Sequence, residues 1–284
     1  MGPDQGAHGR ALVEQILGAA AAADGQDPVD ESVRLRLRHH GLRDSTLWLV
    51  GEDGFALRHG GDLDLVVAPQ ARGRGIGATL ATAALARPGP IAAWSHGDHP
   101  AARRIGVRLG MRPTRSLWVM RRGLGASAEP LPPLQVPEAI TVRGFRPDDP
   151  ADAAAVLRVN AAAFAHHPEQ GSLDQAGLDE RLAEPWFDPA GLLLAEDATG
   201  VLGFHWTKRH SPTLGEVYVV GIDPATQGRG LGRMLTLAGL HHLADGGSTD
   251  VLLYVESDNA PAIAVYSRLG FTHLPEDTHL RFTR

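Results

Sequence analysis

The amino-acid sequence predicts an α/β protein of two similar domains, each built on a mixed central sheet flanked by helices. Its 284 residues suit two domains of about 140 residues better than one. A strand, a glycine-rich turn and the start of a helix follow one another at residues 63–77 and again at residues 217–232. A stretch with four prolines and no hydrophobic periodicity, residues 123–139, separates the two copies. We therefore expect an N-terminal domain at residues 1–123, a linker at 124–139 and a C-terminal domain at 140–284.

The two glycine-rich turns correspond residue by residue. Gly73 and Gly228 are 155 positions apart, and the same shift relates Pro69 to Pro224, Arg74 to Arg229, Gly75 to Gly230 and Gly77 to Gly232. Further along, a shift of 160 relates Leu109-Gly110 to Leu269-Gly270. A tandem duplication with a five-residue length difference is the simplest explanation.

The order of elements follows from hydrophobic periodicity and from turn residues. In the N-terminal half we expect helices at 10–23 and 29–40 and strands at 46–50, 54–58 and 63–67. In the C-terminal half we expect strands at 140–145, 191–196, 201–208, 217–222 and 250–256, helices at 150–164, 173–183 and 259–269, a helix after Gly232, and two closing strands.

Composition excludes several classes of partner and site. The net charge of −6 argues against nucleic-acid binding, and there is no cysteine for disulfides or thiolate metal ligands. No run of apolar residues is long enough to span a membrane or serve as a signal peptide, so we expect a cytoplasmic protein, acting as a monomer. The histidines occur in adjacent pairs at 39–40, 166–167 and 241–242, which point in different directions on a helix, and we expect no metal site.

The second glycine-rich turn is a candidate phosphate site. Residues 227–232 read Gln-Gly-Arg-Gly-Leu-Gly and leave backbone N–H groups open at a helix N-terminus, an arrangement that binds phosphate. A Walker loop would require Lys-Ser/Thr after the last glycine, whereas Arg233-Met234 follow Gly232. A dinucleotide fingerprint would begin directly after the strand, and here a proline turn intervenes. An ordinary surface turn is the remaining alternative.

This turn resembles the signature Q/R-x-x-G-x-G/A of the GCN5-related N-acetyltransferase (GNAT) family. A second segment, with Asn259, Ala262, Tyr266, Gly270 and Phe271, is similar to the family's N-x-x-A-x-x-x-Y-x-x-x-G-F pattern. The resemblance implies two tandem GNAT (acyl-CoA N-acyltransferase) domains and acetyl-CoA as the co-substrate. The coenzyme-binding residues implied in the C-terminal domain are Val220, Gly221, Ile222, Gln227, Gly228, Arg229, Gly230, Leu231, Gly232, Arg233, Asn259, Ala260, Pro261, Ala262, Ile263 and Ala264. Those implied in the N-terminal domain are Leu65, Val66, Val67, Gly73, Arg74, Gly75, Ile76, Gly77 and Ala78.

Two side chains of the C-terminal half are candidates for the chemistry. An amine that attacks a thioester must be unprotonated, and the leaving thiolate benefits from a proton. Tyr266 lies where the family places a tyrosine beside the coenzyme A sulfur, although a core tyrosine on an amphipathic helix is the alternative. Glu216 begins the central strand and lies, by strand alternation, on the same face as Tyr218 and Val220, so it is a candidate base or ammonium anchor. A solvated carboxylate is its alternative.

The N-terminal copy lacks both candidates. The positions that correspond to Glu216 and Tyr266 are Gly61 and Gly106, and Asp62 and Asp64 fall on the opposite strand face. We therefore expect the N-terminal domain to be non-catalytic, with a structural role or with residues lent to the other domain's substrate pocket.

Segments outside the shared motifs are similar to one family of tandem acetyltransferases, the mycothiol synthases of actinobacteria. They include residues 160–164, 167–171, 186–189, 203–208, 216–221 and 253–259. The resemblance implies acetyl transfer to the cysteinyl amine of desacetylmycothiol (Cys-GlcN-Ins), a pseudodisaccharide, with substrate contacts at Glu31, Glu169, Lys208, Glu216 and Tyr254. Lys208 is the only lysine among 27 basic residues. Gly73 departs from the family pattern, where a basic residue is expected, which puts coenzyme binding by the N-terminal domain in doubt.

Two other functions stay open at this level. The coenzyme motifs do not distinguish acceptors, so the chain could acetylate a protein N-terminus or another small amine. A non-enzymatic acetyl-CoA sensor could also use two such loops. The presence of Glu216 and Tyr266 in one half favours catalysis.

Overall fold

The computed structural model describes residues 3–166 and 170–284, and the chain forms two compact units. Unit 1 comprises Met1–Trp118 together with Pro275–Arg284, and unit 2 comprises Val119–Leu274. The helices are α1 (Pro3–Asp24), α2 (Glu31–His39), α3 (Ile76–Leu85), α4 (Pro100–Arg108), α5 (Pro150–Ala163), α6 (Gln175–Leu182), α7 (Leu231–Asp245) and α8 (Ala260–Arg268). The strands are β1 (Ser45–Val50), β2 (Gly54–His59), β3 (Asp62–Val67), β4 (Ala92–Ser95), β5 (Arg112–Gly123), β6 (Thr141–Gly144), β7 (Leu192–Asp197), β8 (Gly200–Arg209), β9 (Leu214–Ile222), β10 (Asp250–Glu256) and β11 (Thr272–Thr283).

Unit 1 is a mixed sheet covered by helices. Strands β1, β2 and β3 form an antiparallel meander, β3 then pairs parallel with β4 at Asp62↔Ala92, and β4 pairs antiparallel with the end of β11. Apolar side chains of α1, α2 and the meander form one core, which includes Val13, Leu17, Leu37 and Phe55. Burial of these side chains provides the main stabilisation of the unit.

Unit 2 has the same plan, with helices on both faces of its sheet. Strands β6 to β9 pair antiparallel in order, and β9 pairs parallel with β10. On one face, α5 and α6 cover a core that contains Leu178, Phe204 and Trp206, whereas α7 covers the other face through Leu231 and Leu235. The predicted α/β class, a mixed sheet flanked by helices, is confirmed.

The duplicated turns have the same backbone conformation in both units. Gly73 and Gly228 have φ of 76° and 81°, and Gly75 and Gly230 have φ of 83° and 77°. Each turn follows a short 3-10 helix, Pro69–Ala71 or Pro224–Thr226, and precedes α3 or α7. Positive φ disfavours side chains with a Cβ, so the glycines are required by the turn itself.

The C-terminus differs from the predicted arrangement. The two closing strands expected there are one strand, β11, which continues through Pro275 because the fixed φ of proline is compatible with extended backbone. Leu280 pairs with Ser95 and Thr283 with Ala92, so residues 275–284 belong to unit 1 and not to the C-terminal unit. Residues 124–140, the predicted linker and one residue beyond it, contain no helix or strand and belong to unit 2. Among the described residues, no helix is both long and apolar enough to cross a membrane.

Helix α7 packs against β8 through a glycine. Nδ1 of the fully buried His205 lies 2.8 Å from the carbonyl oxygen of Leu235, and burial lowers the pKa of His205 to about 4. A Cβ added at Gly239 would overlap the His205 ring. The absence of a side chain at Gly239 is therefore what allows the helix and strand to approach.

We expect Gly239→Ala to lower the free energy of unfolding by about 1–3 kcal/mol, because it overpacks a closed interface. The matched control is Gly232→Ala on the same helix, where the new Cβ would meet only Ile222 at 3.8 Å, an ordinary contact. The control should change stability by less than about 0.5 kcal/mol. Urea unfolding of both variants checks this, and equal midpoints for Gly239→Ala and wild type would contradict it.

Unit 1 buries a carboxyl group without a hydrogen-bond partner on one oxygen. Oδ2 of Asp64, on β3, has no such partner among the described residues. Burial, together with the negative charge of Asp30, raises the pKa of Asp64 to about 8, although Arg36 opposes the shift. The sequence placed Asp64 on the face away from the chemistry but did not indicate that its carboxyl group would lie out of water.

Asp64 predicts a pH-dependent stability. Between about pH 4 and pH 8 the folded chain holds a proton on Asp64 that the unfolded chain has released, so stability falls as pH rises, by up to about 1.4 kcal/mol per pH unit. Asp64→Asn cannot titrate, and its stability relative to wild type should therefore rise through this window. Chemical unfolding at several pH values measures the difference. A difference between Asp64→Asn and wild type that stayed constant through this window would refute the assignment.

Candidate active site

The glycine-rich turn of unit 2 presents an open helix N-terminus. Gly228 and Gly230 are exposed, and a Cβ at either position would meet no atom within 4 Å. The first intrahelical bond across the turn runs from the N–H of Met234 to the carbonyl oxygen of Gly230. The N–H groups of Leu231, Gly232 and Arg233 precede it and have no partner within the helix. Open N–H groups at a helix N-terminus can bind an anion, and the phosphate site at this turn stays a prediction.

The two parallel strands beside this turn pair over only part of their length. Their ladder runs from Leu214↔Asp250 to Val217↔Leu253, although β9 continues to Ile222 and β10 to Glu256. Along its other edge β9 stays paired with β8 as far as Gly203↔Ile222. Residues Val220, Gly221 and Ile222 thus extend past the paired segment, at the end of β9 that leads to the glycine-rich turn.

Helix α8 begins at the second motif. The side chain of Asn259 caps the helix by accepting a hydrogen bond from the N–H of Ala262 at 3.2 Å. No residue of α8 is fully buried, and Ala260, Pro261 and Ala264 are exposed. The Tyr266 ring lies 5.9 Å from that of Phe271, and burial raises the pKa of Tyr266 to about 12.

A β-bulge in β9 decides which side chains share a face. Trp206 pairs with Val219 and Thr207 with Val217, so Tyr218 is an extra residue without an opposite partner. Beyond the bulge Lys208 lies opposite Glu216, and residues directly opposite each other point to the same face. The expectation that Glu216 shares a face with Val220 is wrong, because Val220 pairs with His205, whose ring contacts α7 on the other face.

Aromatic rings surround the ammonium group of Lys208. Its Nζ lies 4.7 Å from the centre of the Trp186 ring and 5.3 Å from that of Tyr218. The Tyr218 ring also contacts Trp206 at 5.6 Å, and its hydroxyl accepts a hydrogen bond from Nε of Arg181 at 3.0 Å. These contacts hold the lysine on the face that α5 and α6 cover, and they stabilise its charge there.

Glu216 is a buried carboxylate with a histidine partner. Its side chain is 6% exposed, and Oε2 lies 2.6 Å from Nε2 of His210. His210 lies in the turn between β8 and β9 and was not among the predicted site residues. The one available signal for this contact was the six-residue separation of His210 and Glu216, which a tight hairpin could bring together. The sequence does not show where that hairpin turns.

The remaining predicted substrate residues are placed as follows. Tyr254 is 43% exposed on β10, and alternation puts it on the face of Leu252, the parallel partner of Glu216. Lys208, Glu216 and Tyr254 therefore share one face of the unit 2 sheet. Glu31 begins α2 in unit 1, directly after its N-cap Asp30. Glu169 lies outside the described residues.

Unit 1 contains the turn without the candidate catalytic side chains. A Cβ at Gly106, the counterpart of Tyr266, would press against the Phe282 ring at 3.0 Å. In unit 1 the parallel strands β3 and β4 pair at Asp62↔Ala92, and Leu65, Val66 and Val67 follow later on β3. Gly73, Arg74, Gly75, Ile76, Gly77 and Ala78 repeat the turn and the start of the helix. Within residues 3–166 and 170–284, no group of three or more His, Asp or Glu side chains could hold a metal ion.

Comparison with known proteins agrees with this geometry. The Acetyltransferase (GNAT) family matches residues 161–271. Among solved structures, a GCN5-related N-acetyltransferase from Sphaerobacter thermophilus has a TM-score of 0.66 at 21% identity, over 96% of this chain and 91% of its own. A tandem GNAT protein from the clavulanic acid biosynthesis pathway has a TM-score of 0.65 at 19% identity, over 99% and 95%. These two structures establish the fold, and the second supports the tandem repeat.

Relatives with higher identity carry one name. A mycothiol acetyltransferase from Nocardioides sp. is 58% identical over 96% of this chain and 97% of its own length. A mycothiol acetyltransferase from Nocardia farcinica is 51% identical over 91% and 89%. The chain therefore belongs to the mycothiol acetyltransferase family and is an acetyl-CoA-dependent N-acetyltransferase of the GNAT fold.

Proposed function

We propose that unit 2 transfers the acetyl group of acetyl-CoA to the cysteinyl amine of desacetylmycothiol, by direct attack in a ternary complex. The observation that supports it best is the position of Glu216, a buried carboxylate opposite Lys208 on the strand that leads to the coenzyme turn. The name shared by the relatives supports the choice of substrate. Because the chain has no cysteine, a thioester intermediate on the protein is excluded, which favours direct attack.

Acetyl-CoA would bind along the end of β9, the turn and the start of α8. The pyrophosphate would accept hydrogen bonds from the turn, at residues Gln227 to Arg233, where exposed glycines leave room for it. The acetyl and pantetheine groups would lie along Val220, Gly221 and Ile222, where β9 is no longer paired with β10. Residues 259–264 at the start of α8 would line the other side of the coenzyme.

The reaction requires an unprotonated amine and a stabilised leaving group. Glu216 would remove a proton from the acceptor ammonium, whose nitrogen then attacks the thioester carbonyl carbon while the carbon–sulfur bond breaks. A pKa of about 12 keeps Tyr266 protonated throughout the physiological range. Since a thiol titrates near 8.5, complete proton transfer from this phenol is unfavourable, and Tyr266 would instead stabilise the thiolate by donating a hydrogen bond.

Acceptor binding would use charge and hydrogen bonding from several elements. The ammonium of Lys208, held against Trp186 and Tyr218, suits the hydroxyl oxygens of a pseudodisaccharide. Tyr254 shares the face of Glu216 and is exposed, so its hydroxyl could reach the same ligand. Glu31 and Glu169 complete the substrate set implied by the family, and for them the proposal rests on resemblance alone.

Unit 1 would not carry out this chemistry. Its counterpart of Tyr266 is Gly106, and Phe282 occupies the space a side chain there would need. Its turn could still hold a coenzyme molecule, or have a purely structural role. We further propose that the enzyme is cytoplasmic and monomeric. Size-exclusion chromatography with light scattering would check the monomeric state.

Product analysis tests the acceptor directly. The protein is incubated with acetyl-CoA and desacetylmycothiol, and in parallel with peptides bearing free N-termini and with simple amines. We expect an acetylated pseudodisaccharide by mass spectrometry and little product with the other acceptors. Acetylated peptide without acetylated pseudodisaccharide would overturn the substrate assignment.

The turn glycine Gly230 offers a test of the coenzyme site. We expect Gly230→Ala to raise KM for acetyl-CoA about tenfold, since a left-handed residue with a Cβ costs roughly 1–2 kcal/mol and would distort the turn. The matched control is Gly247→Ala at the other end of α7, which has φ of 93° and the same open surroundings. Steady-state kinetics should show normal KM for the control. A normal KM for Gly230→Ala as well would argue against this coenzyme site.

Removing both candidate catalytic groups of unit 2 tests whether this unit carries the activity. We expect Glu216→Gln combined with Tyr266→Phe to lower kcat by at least about 100-fold, because both the base and the leaving-group donor are lost. Thermal unfolding should confirm that the variant is folded. If most of the turnover persisted, the activity would have to come from unit 1 or from other residues.

A further inference from the structure

The carboxylate of Glu216 has a partner to which the proposed mechanism gives no role. Nε2 of His210 lies 2.6 Å from Oε2 of Glu216, and the His210 side chain is 34% exposed whereas that of Glu216 is 6% exposed. The contact therefore connects a buried carboxylate to an imidazole that water reaches. Such an arrangement is a route by which a proton can leave a buried site.

The backbone fixes the position of this imidazole. The N–H of His210 donates to the carbonyl oxygen of Leu214 at 2.9 Å, which closes the turn between β8 and β9. Oγ of Ser211 accepts from the N–H of Leu214 at 3.0 Å and braces the same turn. His210 is thus held beside Glu216 by a hydrogen-bonded hairpin rather than by an irregular loop.

We propose that His210 is a positioning residue that orients Glu216 and accepts from it the proton lost by the acceptor ammonium. This inference rests on the proposed role of Glu216. The step begins with an ionised carboxylate and with a neutral imidazole that carries its proton on Nδ1, so that Nε2 can accept. The N–H bond of the ammonium breaks, its electron pair stays on the nitrogen, and the proton binds the carboxylate of Glu216. The resulting Oε2–H bond then breaks as a bond from Nε2 of His210 to this proton forms. An imidazolium paired with a restored carboxylate results, and the proton then leaves to solvent.

Ordinary acidities explain why a second group is useful. In model peptides an α-amino group titrates near 7.7–8.0, an imidazole near 6.5 and a glutamate carboxylate near 4.3. A proton from an α-ammonium therefore rests on an imidazole more readily than on a carboxylate, by a factor on the order of 100. A carboxylate alone suffices to contact the amine, but an imidazole behind it makes proton transfer from the ammonium to the protein less unfavourable by this factor, on the order of 100.

The charged groups around the pair favour this outcome. Lys208 lies opposite Glu216 on β8, whereas the guanidinium of Arg209, the last residue of β8, donates to the carbonyl oxygen of Leu243 on α7, at the other face of the sheet. From α6, Arg181 reaches the face through the Tyr218 hydroxyl, and β10 contributes the phenol of Tyr254. The cationic side chains of Lys208 and Arg181, on the face of Glu216, favour a carboxylate that is ionised again after each transfer, which is the state the relay restores.

Two substitutions of His210 separate proton transfer from structural support. His210→Gln retains an amide that can hydrogen-bond Glu216 but cannot take up a proton, and His210→Ala leaves space for added imidazole. We expect both to lower kcat by about 10- to 100-fold, with KM for acetyl-CoA changed less than twofold. Imidazole in the buffer should restore part of the activity of His210→Ala only. The control His241→Gln removes a histidine whose Nε2 lies 2.9 Å from the carbonyl oxygen of Pro132, and it should keep normal kcat.

The pH profile gives a readout that a structural role would not change. We expect the acid limb of kcat/KM to become shallower in His210→Gln, because the imidazole no longer titrates, whereas loss of support alone would lower the whole profile evenly. An even loss without rescue by imidazole, or activity within twofold of wild type in both variants, would overturn the proposal.

Glu216→Gln and the double variant that combines it with His210→Gln distinguish failure of this inference from failure of the proposed function. If Glu216→Gln kept full activity, the role of Glu216 itself would be wrong. If Glu216→Gln were inactive and His210→Gln were normal, Glu216 would act without His210. We expect the double variant to be no slower than Glu216→Gln alone, since the two groups act in sequence on one proton.

Discussion

The partial pairing of β9 with β10 is the constraint on which the site of unit 2 depends. The ladder ends at Val217↔Leu253, and past that point β9 is bonded only to β8. A strand with one satisfied edge has backbone groups to offer a ligand along the other. The 3-10 helix Pro224–Thr226 follows β9, and the glycine-rich turn then leads to the open N-terminus of α7. In the proposed complex the coenzyme would form hydrogen bonds with both the strand end and the turn.

The bulge at Tyr218 determines which side chains of β9 share a face. It inserts one residue just past the last pair of the ladder with β10, and it thereby reverses the alternation of the residues beyond it. Glu216 and Tyr218 would point toward the face of Lys208 in a regular strand as well. The bulge places Val219 on this face beside Tyr218 and turns Val220 toward α7, while the end of the strand continues toward the turn.

The glycine residues made part of this architecture predictable from the sequence. The glycine turns are encoded by residues that positive φ requires, and their repetition at constant spacing indicated both the class of fold and the duplication. The bulge was not predictable, because no residue type signals it and strict alternation is the default assumption. His210 was missed for a similar reason, since its contact depends on where the β8–β9 hairpin turns. The end of β11 was misassigned because pairing with β4 is a long-range choice that local pattern does not contain.

The two units share one turn conformation but differ in the side chains around it. Both have the same glycine conformations and the same 3-10 helix before the turn, so the backbone requirement for binding a phosphate is equally present. What differs is the helix that follows the parallel strand. In unit 2 this helix carries Tyr266, whereas in unit 1 Gly106 packs against Phe282, and a side chain could not return there without displacing that ring. Because Phe282 belongs to the strand that closes the unit 1 sheet, reintroducing a donor at this position would disturb the core of the unit. Packing within unit 1 thus opposes a tyrosine at position 106, independently of whether its turn binds coenzyme.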